Sequence, residues 1–244
     1  MSTAAAPIVS APLVWVELIT SSVERASRFY GAALGWKPTG APRSTDFVVY
    51  LDQARIAGPI CGIRPRSPSD PVPEGVTGTI PDRWSVRLSP PRPPRAADPG
   101  GDQLLRPRQP GPRLGRWAVP GALCFAELRT PDVDGARAWM ERRLDGRVEL
   151  AADGAQQLHS AVDPARAVVL LVPEIDPQRA GWLPCIQVAQ LASTLEQASA
   201  AGAQAIVERP VPAGCVGSAA AEVVDSGGAT IVLVEHGPVH GRRG

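Results

Sequence analysis

LVWVELITSSVERASRFYGAAL, residues 13–34, is the stretch whose reading decides the fold. Its opening alternates with period two, as a strand with one covered face does. Its second half sets Val23, Ala26, Tyr30, Ala33 and Leu34 on one helical stripe. Ser21 with Glu24 spells a capping box between them, so the stretch predicts a strand running straight into an amphipathic helix. Moved 110 residues along the chain, LCFAELRTPDVDGARAWMERRL (123–144) fits over it without a gap. Leu13/Leu123, Glu17/Glu127, Leu18/Leu128, Thr20/Thr130, Val23/Val133, Ala26/Ala136 and Leu34/Leu144 are identical, Phe29 falls on Trp139, and Trp15 on Phe125. In the second copy, Thr130 followed by Pro131 predicts a cap and a first-turn proline. So many matches at one register make an internal repeat the organising signal.

Outward from each copy come β-rich runs: DFVVYL (46–51) and PICGI (59–63), then RVEL (147–150), QLHSAV (157–162) and AVVLLV (167–172). The unit is β-α-β-β-β. A related unit closes the chain, with strand WLPCIQV (182–188), a helix over 191–202 stopped by Gly202, and strands at 204–208, 219–224 and 229–235. Residues 121–236 thus hold two full units. The first half begins its second unit with RWSVRLS (83–89), Trp84 answering Trp182, and then breaks into PPRPPRAADPGG, whose prolines at 90, 91, 93 and 94 forbid a helix. Fourteen of the 27 prolines lie between Pro65 and Pro120. Two accounts of this stretch stand side by side: an extended arm replacing a helix, or a reading frame that slips near residue 89 and recovers near 120. The expected architecture is α+β, with tandem βαβββ modules in two domains, 10–120 and 121–237. The second module of the first domain is degenerate over 65–120.

Twenty-five basic against 24 acidic residues leave a net charge of +1, which gives no field for nucleic acid or an anionic membrane. The longest apolar run, Ala167 to Val172, is strand-sized and far below the roughly 18 residues of a membrane span. The start, MSTAAAPIVSAPLVW, has no basic n-region, so a cytoplasmic protein is expected. Cys61, Cys124, Cys185 and Cys215 form no CxxC pair and read as buried free thiols. No GxGxxG before a helix, P-loop, GxSxG elbow or HExxH is present, and no cofactor is expected.

Four β-α-β-β-β units in tandem resemble the vicinal oxygen chelate superfamily of glyoxalase I, bleomycin-resistance proteins and extradiol dioxygenases. WVELITSSVERASRFYGAALGW, CFAELRTPDVDGARAW, and WLPCIQV with AGAQAIVERPVPAG and VVDSGGATIVLVE are similar to its two-domain actinobacterial branch. The resemblance covers residues 12–64 and 121–236 and is weak from 65 to 120. It implies two glyoxalase-like domains. Metal-dependent members set a His or Glu on the first strand of paired units and a Glu on the last. Here the matching positions hold Trp15, Ser85, Phe125 and Leu183, and then Gly62, Leu170 and Val232, of which only Ser85 carries even a weak ligand. His159 sits on a middle strand, and Gly237 and Pro238 separate His236 from His240. The resemblance therefore implies a member without the divalent metal, and without glyoxalase or ring-cleaving activity.

Strand alternation then names the site. If Val14, Val16 and Leu18 pack on the helix, Trp15, Glu17 and Ile19 face a cavity, joined by Arg87. In the second half Phe125, Glu127 and Arg129 face another cavity, with Cys185 and Gln187 across from them. An aromatic ring beside a carboxylate suits a planar ligand that offers a hydroxyl or a cation. The alternative is structural: Glu17 and Glu127 pair with arginines such as Arg129, and Trp15 and Phe125 fill space. The expected function is metal-independent binding of a small aromatic natural product, for sequestration or biosynthetic tailoring. One alternative is a hydroxylase-like tailoring enzyme of aromatic polyketides with Glu17 or Glu127 as acid or base; another is a ligand-free remnant of the fold. A monomer or homodimer is expected.

Overall fold

A computed structural model describes residues 13–40, 47–51, 61–70, 80–89, 120–143, 147–150, 156–159, 167–176, 179–212 and 217–236. The Pro/Arg-rich stretch from 90 to 119, and both accounts of it, lie outside the described residues. Strand β1 (Leu13–Thr20), helix α1 (Val23–Leu34), and strands β2 (Trp36–Gly40), β3 (Phe47–Leu51) and β4 (Cys61–Pro65) come first. Strand β5 (Arg83–Ser89) follows, then β6 (Leu123–Thr130), α2 (Val133–Arg143), β7 (Arg147–Leu150), β8 (Gln156–His159) and β9 (Ala167–Pro173). The chain closes with β10 (Gly181–Val188), α3 (Leu191–Ala200), β11 (Ala205–Arg209), β12 (Gly217–Val224) and β13 (Thr230–His236). The fold is α+β, as expected.

One pairing logic recurs. The strand before each helix pairs in parallel with the last strand of its own block: β1 with β4, β6 with β9, β10 with β13. Leading strands then pair antiparallel with one another, β1 with β5 and β6 with β10. The strands run β2-β3-β4-β1-β5-β10-β6-β9-β8-β7, and β13-β12-β11 branch from β10. The fork lies within β10, where Trp182 pairs with Trp84 of β5 and Cys185 onward pairs with β13.

Local chemistry departs from the sequence reading in four places. Ser22, not Ser21, caps α1 by accepting from Arg25 N–H at 3.3 Å. Ser21 is drawn off to Asp82, to which its backbone N–H donates at 2.8 Å. Asp132 caps α2 by accepting from Gly135 N–H, so Pro131 precedes the helix rather than starting it. The strand WKPTG is not evident in the sequence because Pro38 and Gly40 weaken any strand pattern; as β2 it sits at the sheet edge, where proline is tolerated. Trp139, which the repeat sets over buried Phe29, is 41% exposed, and its neighbour Met140 is buried instead.

The helix-side core spans the whole chain. Val16, Leu18, Phe29, Tyr30 and Trp36 from the first block share one cluster with Ile186, Leu191, Ala198, Ile231 and Leu233 from the last. Tyr30 stacks on Trp36 at 5.2 Å between ring centroids. Polar ties cross the same boundary: Tyr30 Oη donates to Asp225 Oδ2 at 2.7 Å, and Trp36 Nε1 donates to Gly121 O at 2.9 Å. Asp82 N–H donates to Gly227 O at 2.9 Å, and a Cβ on Gly227 would lie 2.1 Å from Asp82 Oδ2, so only glycine fits there.

Candidate functional site

Strand register sets the charged residues of the second half among apolar neighbours. On β6, Phe125, Glu127 and Arg129 share one face by alternation. Glu127 lies beside Leu183 of β10 and Leu170 of β9, and Leu170 lies beside Gln157 of β8. The next row across the sheet reads Phe125, Cys185, Val232, Glu222, Val207. Phe125, Leu170, Leu183, Cys185 and Val232 pack into a second apolar cluster, separate from the helix-side core. Phe125, Cys185 and Gln187 are buried, and Gln187 holds the turn before β6 through backbone bonds with Gly121 and Ala122.

The charges close over this floor. Arg209 Nη1 donates to Glu127 Oε2 at 3.0 Å and to Glu222 Oε1 at 3.1 Å. Arg129 Nη2 donates to Glu222 Oε1 and, at 3.4 Å, to Glu127 Oε2, while its Nη1 donates to Glu222 Oε2 at 3.3 Å. On a flat sheet β11 and β6, four strands apart, would be roughly 19 Å from each other, too far for Arg209 to reach Glu127. The sheet therefore curls, and this is its concave face. Burial alone would raise the Glu222 carboxyl, but hydrogen bonds and charge from Arg129, with Arg209 and Arg179 nearby, hold it below the usual carboxylate range.

Two atoms of this cluster are left over. Glu127 is fully buried, its Oε2 takes both arginine contacts, and its Oε1 has no hydrogen-bond partner. Arg129 Nε is likewise buried without one. Side-chain exposure rises outward from Glu127 (0%) and Arg129 (6%) through Glu222 (16%) and Arg209 (19%) to Arg179 (58%), so the cluster meets solvent at Arg179, ahead of β10.

In the first half, Glu17 lies between Gly62 of β4 and Ser85 of β5. Its partner is Arg64, whose Nε donates to Glu17 Oε2 at 2.9 Å while Nη1 and Nη2 grip Asp70 at 2.7 and 2.5 Å. Those bonds, with one from Ser67 N–H and against some burial, pull the Asp70 carboxyl down to about 2. Trp15 and Arg87 face each other in register, but their side chains lie outside the described residues. The fold sets Phe125, Glu127, Arg129 and Cys185 on one face of the sheet. Arg64, Asp70, Arg209 and Glu222 were missed. Glu222 did leave a signal, a lone charge in the apolar run AAAEVV; Arg64 left none, because its link to Glu17 exists only through parallel register.

Neither a protein-family model nor a curated protein sequence matches the chain. Solved structures do. The chain is similar to a Mn(II)-bound glyoxalase from Novosphingobium aromaticivorans, at 11% identity over 93% of this chain and 83% of that one, with a TM-score of 0.56. It is also similar to the 2,3-dioxygenase LapB from Pseudomonas sp. KL28 (10% identity, 93% and 92% covered, TM-score 0.52). An extradiol ring-cleaving dioxygenase from B. fuscum matches at 14% identity, with 93% and 73% covered and a TM-score of 0.53. The architecture is therefore that of these glyoxalase and extradiol dioxygenase structures.

Among the described residues the Mn(II) of the glyoxalase neighbour finds no fit. Around the carboxylates of Glu17 and Glu127 and the thiol of Cys185, register sets Gly62, Ser85, Leu170, Leu183 and Val232, which add only one hydroxyl. Among the described residues no group of three or more His, Cys, Asp or Glu gathers as a metal would need. The side chains of His159, His236 and His240 lie outside the described residues. Among the described residues no helix is long and apolar enough to cross a membrane.

Proposed function

We propose that this chain binds a small aromatic molecule on the concave face of its second half without a metal, as a sequestering or tailoring protein of the glyoxalase and bleomycin-resistance type. The observation that carries the reading is the Glu127 carboxylate, fully buried over an apolar floor with Oε1 unpartnered. An unmade hydrogen bond to a buried charge costs about 1–3 kcal/mol, and a bound donor removes that cost. Phe125, Leu170 and Leu183 supply the apolar wall for the ligand's body. The test is calorimetric titration of the full chain with a panel of planar polyphenols, comparing wild type with Glu127→Gln. Binding by wild type that weakens five- to tenfold in the variant supports the reading; a panel that never binds sinks it.

A hydroxylase-like tailoring reading uses the same oxygen as a base, since Glu127 Oε1 is the one carboxylate oxygen among the buried unpartnered atoms of the described residues. In that case Glu127→Gln abolishes turnover while binding persists.

A further inference from the structure

We infer that the Trp139 face of helix α2 is a homodimer interface, on which α2 of a second copy packs antiparallel. The inference is independent of the ligand reading above. Exchanging the two halves of the chain carries α1 onto α2, Phe29 onto Trp139, and the last block onto the block that begins at β5. In the first half α1 packs against α3, and Phe29 is buried in one apolar cluster with Leu191 and Ala198 of that helix. In the second half α2 packs on strands β9 and β7, and Trp139 is 41% exposed. The helix that would answer to α3 beside α2 belongs to the block after β5, where the sequence reads PPRPPRAADPGG and its prolines forbid one. Trp139 therefore stands at a place built for a helix neighbour that this sequence does not supply.

A second α2 fits that place by its own pattern. Helical spacing sets Asp132, Gly135, Ala136 and Trp139 along one side, and positions 142 and 143, both arginine, follow at the far end. Asp134 and Arg137 pair with each other at 3.3 Å on the opposite side. A two-fold axis crossing the helix near residue 137 sets each Trp139 over the small residues Gly135 and Ala136 of the second copy, a ridge into a groove. Gly135 is exposed, and the Asp132 carboxylate lies where a Cβ of Gly135 would stand, so the incoming indole N–H finds an acceptor there. The same axis brings the acidic end of the helix, at Asp132, against the basic end, at residues 142 and 143. A parallel pair would set like ends together. The antiparallel pair is complementary to itself in shape and in charge, as a two-fold interface has to be.

The helix has 11 residues and is about 16 Å long, so the pair buries less than a standard interface and a weak, micromolar dimer is expected. Sedimentation equilibrium of the full chain tests this. Wild type is expected to move from the chain mass toward twice that mass as concentration rises. Trp139→Ala, at an exposed position, is expected to keep the far-UV circular dichroism and to weaken association at least tenfold. Arg142→Glu with Arg143→Glu sets acid against acid and is expected to weaken it at least fivefold, a loss that shrinks as salt screens the charges. A chain that stays monomeric to several hundred micromolar overturns the inference, whether or not another segment then covers Trp139. A dimer that Trp139→Ala leaves as tight as before uses another surface and overturns it too. Neither result touches the ligand reading, which stands or falls with the polyphenol panel and Glu127→Gln.

Discussion

Glu17 and Glu127 occupy one place in two copies of the same strand, and the molecule neutralises them from different directions. In the first copy the guanidinium comes from the neighbouring parallel strand: Arg64 stands on β4, two residues beyond the Gly62 that faces Glu17. In the second copy the corresponding place on β9 is Val172, two beyond the Leu170 that faces Glu127. There the arginine sits on β6 itself, as Arg129, where the first copy has Ile19. The exchange moves one cation across a single pair of parallel strands and keeps it within reach of the carboxylate. The remaining valences differ more. Arg64 turns to Asp70 a few residues along its own chain, a local and closed solution. Arg129 turns to Glu222 and shares it with Arg209, from strands far along the chain, and this distributed cluster holds the two unpartnered atoms. A cluster assembled over several strands has more geometry to satisfy, and here it leaves two atoms over.

The largest expected effect tests that exchange directly. Arg129→Val leaves Glu127 with Arg209 alone, and Glu222 with Arg209 and the more distant Arg179, and should cost about 3–5 kcal/mol in urea unfolding. Adding Val172→Arg, which copies the first half's arrangement, should recover at least half of the loss. If the double variant is no better than the single one, the two positions are not equivalent and the comparison breaks.

Next in size is an acid effect peculiar to the first half. The Asp70 carboxyl is held at about 2, below its ordinary range, so its contribution is complete above about pH 5. It is lost as pH falls through the ordinary carboxylate range toward 2. Asp70→Asn should therefore cost about 2 kcal/mol at pH 7 and almost nothing at pH 2. Equal destabilisation at both pH values would mean that Asp70 acts through packing and not through its charge.

A smaller effect is expected where the halves meet. Tyr30 and its repeat counterpart Met140 are both fully buried, but only Tyr30 reaches a carboxylate, Asp225 in the turn before β13. Burial raises the Asp225 carboxyl despite the Tyr30 bond and two backbone N–H donors, so losing one donor should be felt. Tyr30→Phe should cost about 1 kcal/mol. An unchanged unfolding midpoint would show that the turn's own backbone bonds suffice.

A last test comes from cutting the chain. With the sequence-based division at residue 120 taken as a proposal, residues 121–237 expressed alone should fold. They should melt below the whole chain, because the apolar face of α3 loses its contact with α1. Brief proteolysis of the whole chain should cut first between 90 and 115, where apolar side chains are few. A fragment that stays unfolded would make the two halves one cooperative unit.

The strand-helix units were legible because each rests on local periodicity that needs nothing from the rest of the chain. Leu13–Leu34 and Leu123–Leu144 announce themselves in the order of their own residues, and the 110-residue offset gives the repeat. That Glu17 and Glu127 share one face with their neighbours at i+2 follows from the period of a strand. The first cap falls one residue later than expected because Asp82, distant in sequence, takes Ser21; the second falls two residues later, on Asp132.

What the sequence by itself determined was the repeating β-α-β-β-β grammar, the face of each leading strand, and the scarcity of metal donors at the positions that would hold one. Only the tertiary structure decided which charges meet. Parallel register sets Arg64 beside Glu17, and the curl of the sheet lowers Arg209 and Glu222 onto Glu127. Periodicity is a property of neighbours along the chain, whereas an ion pair across strands depends on register and curvature, which are fixed only when the whole sheet closes.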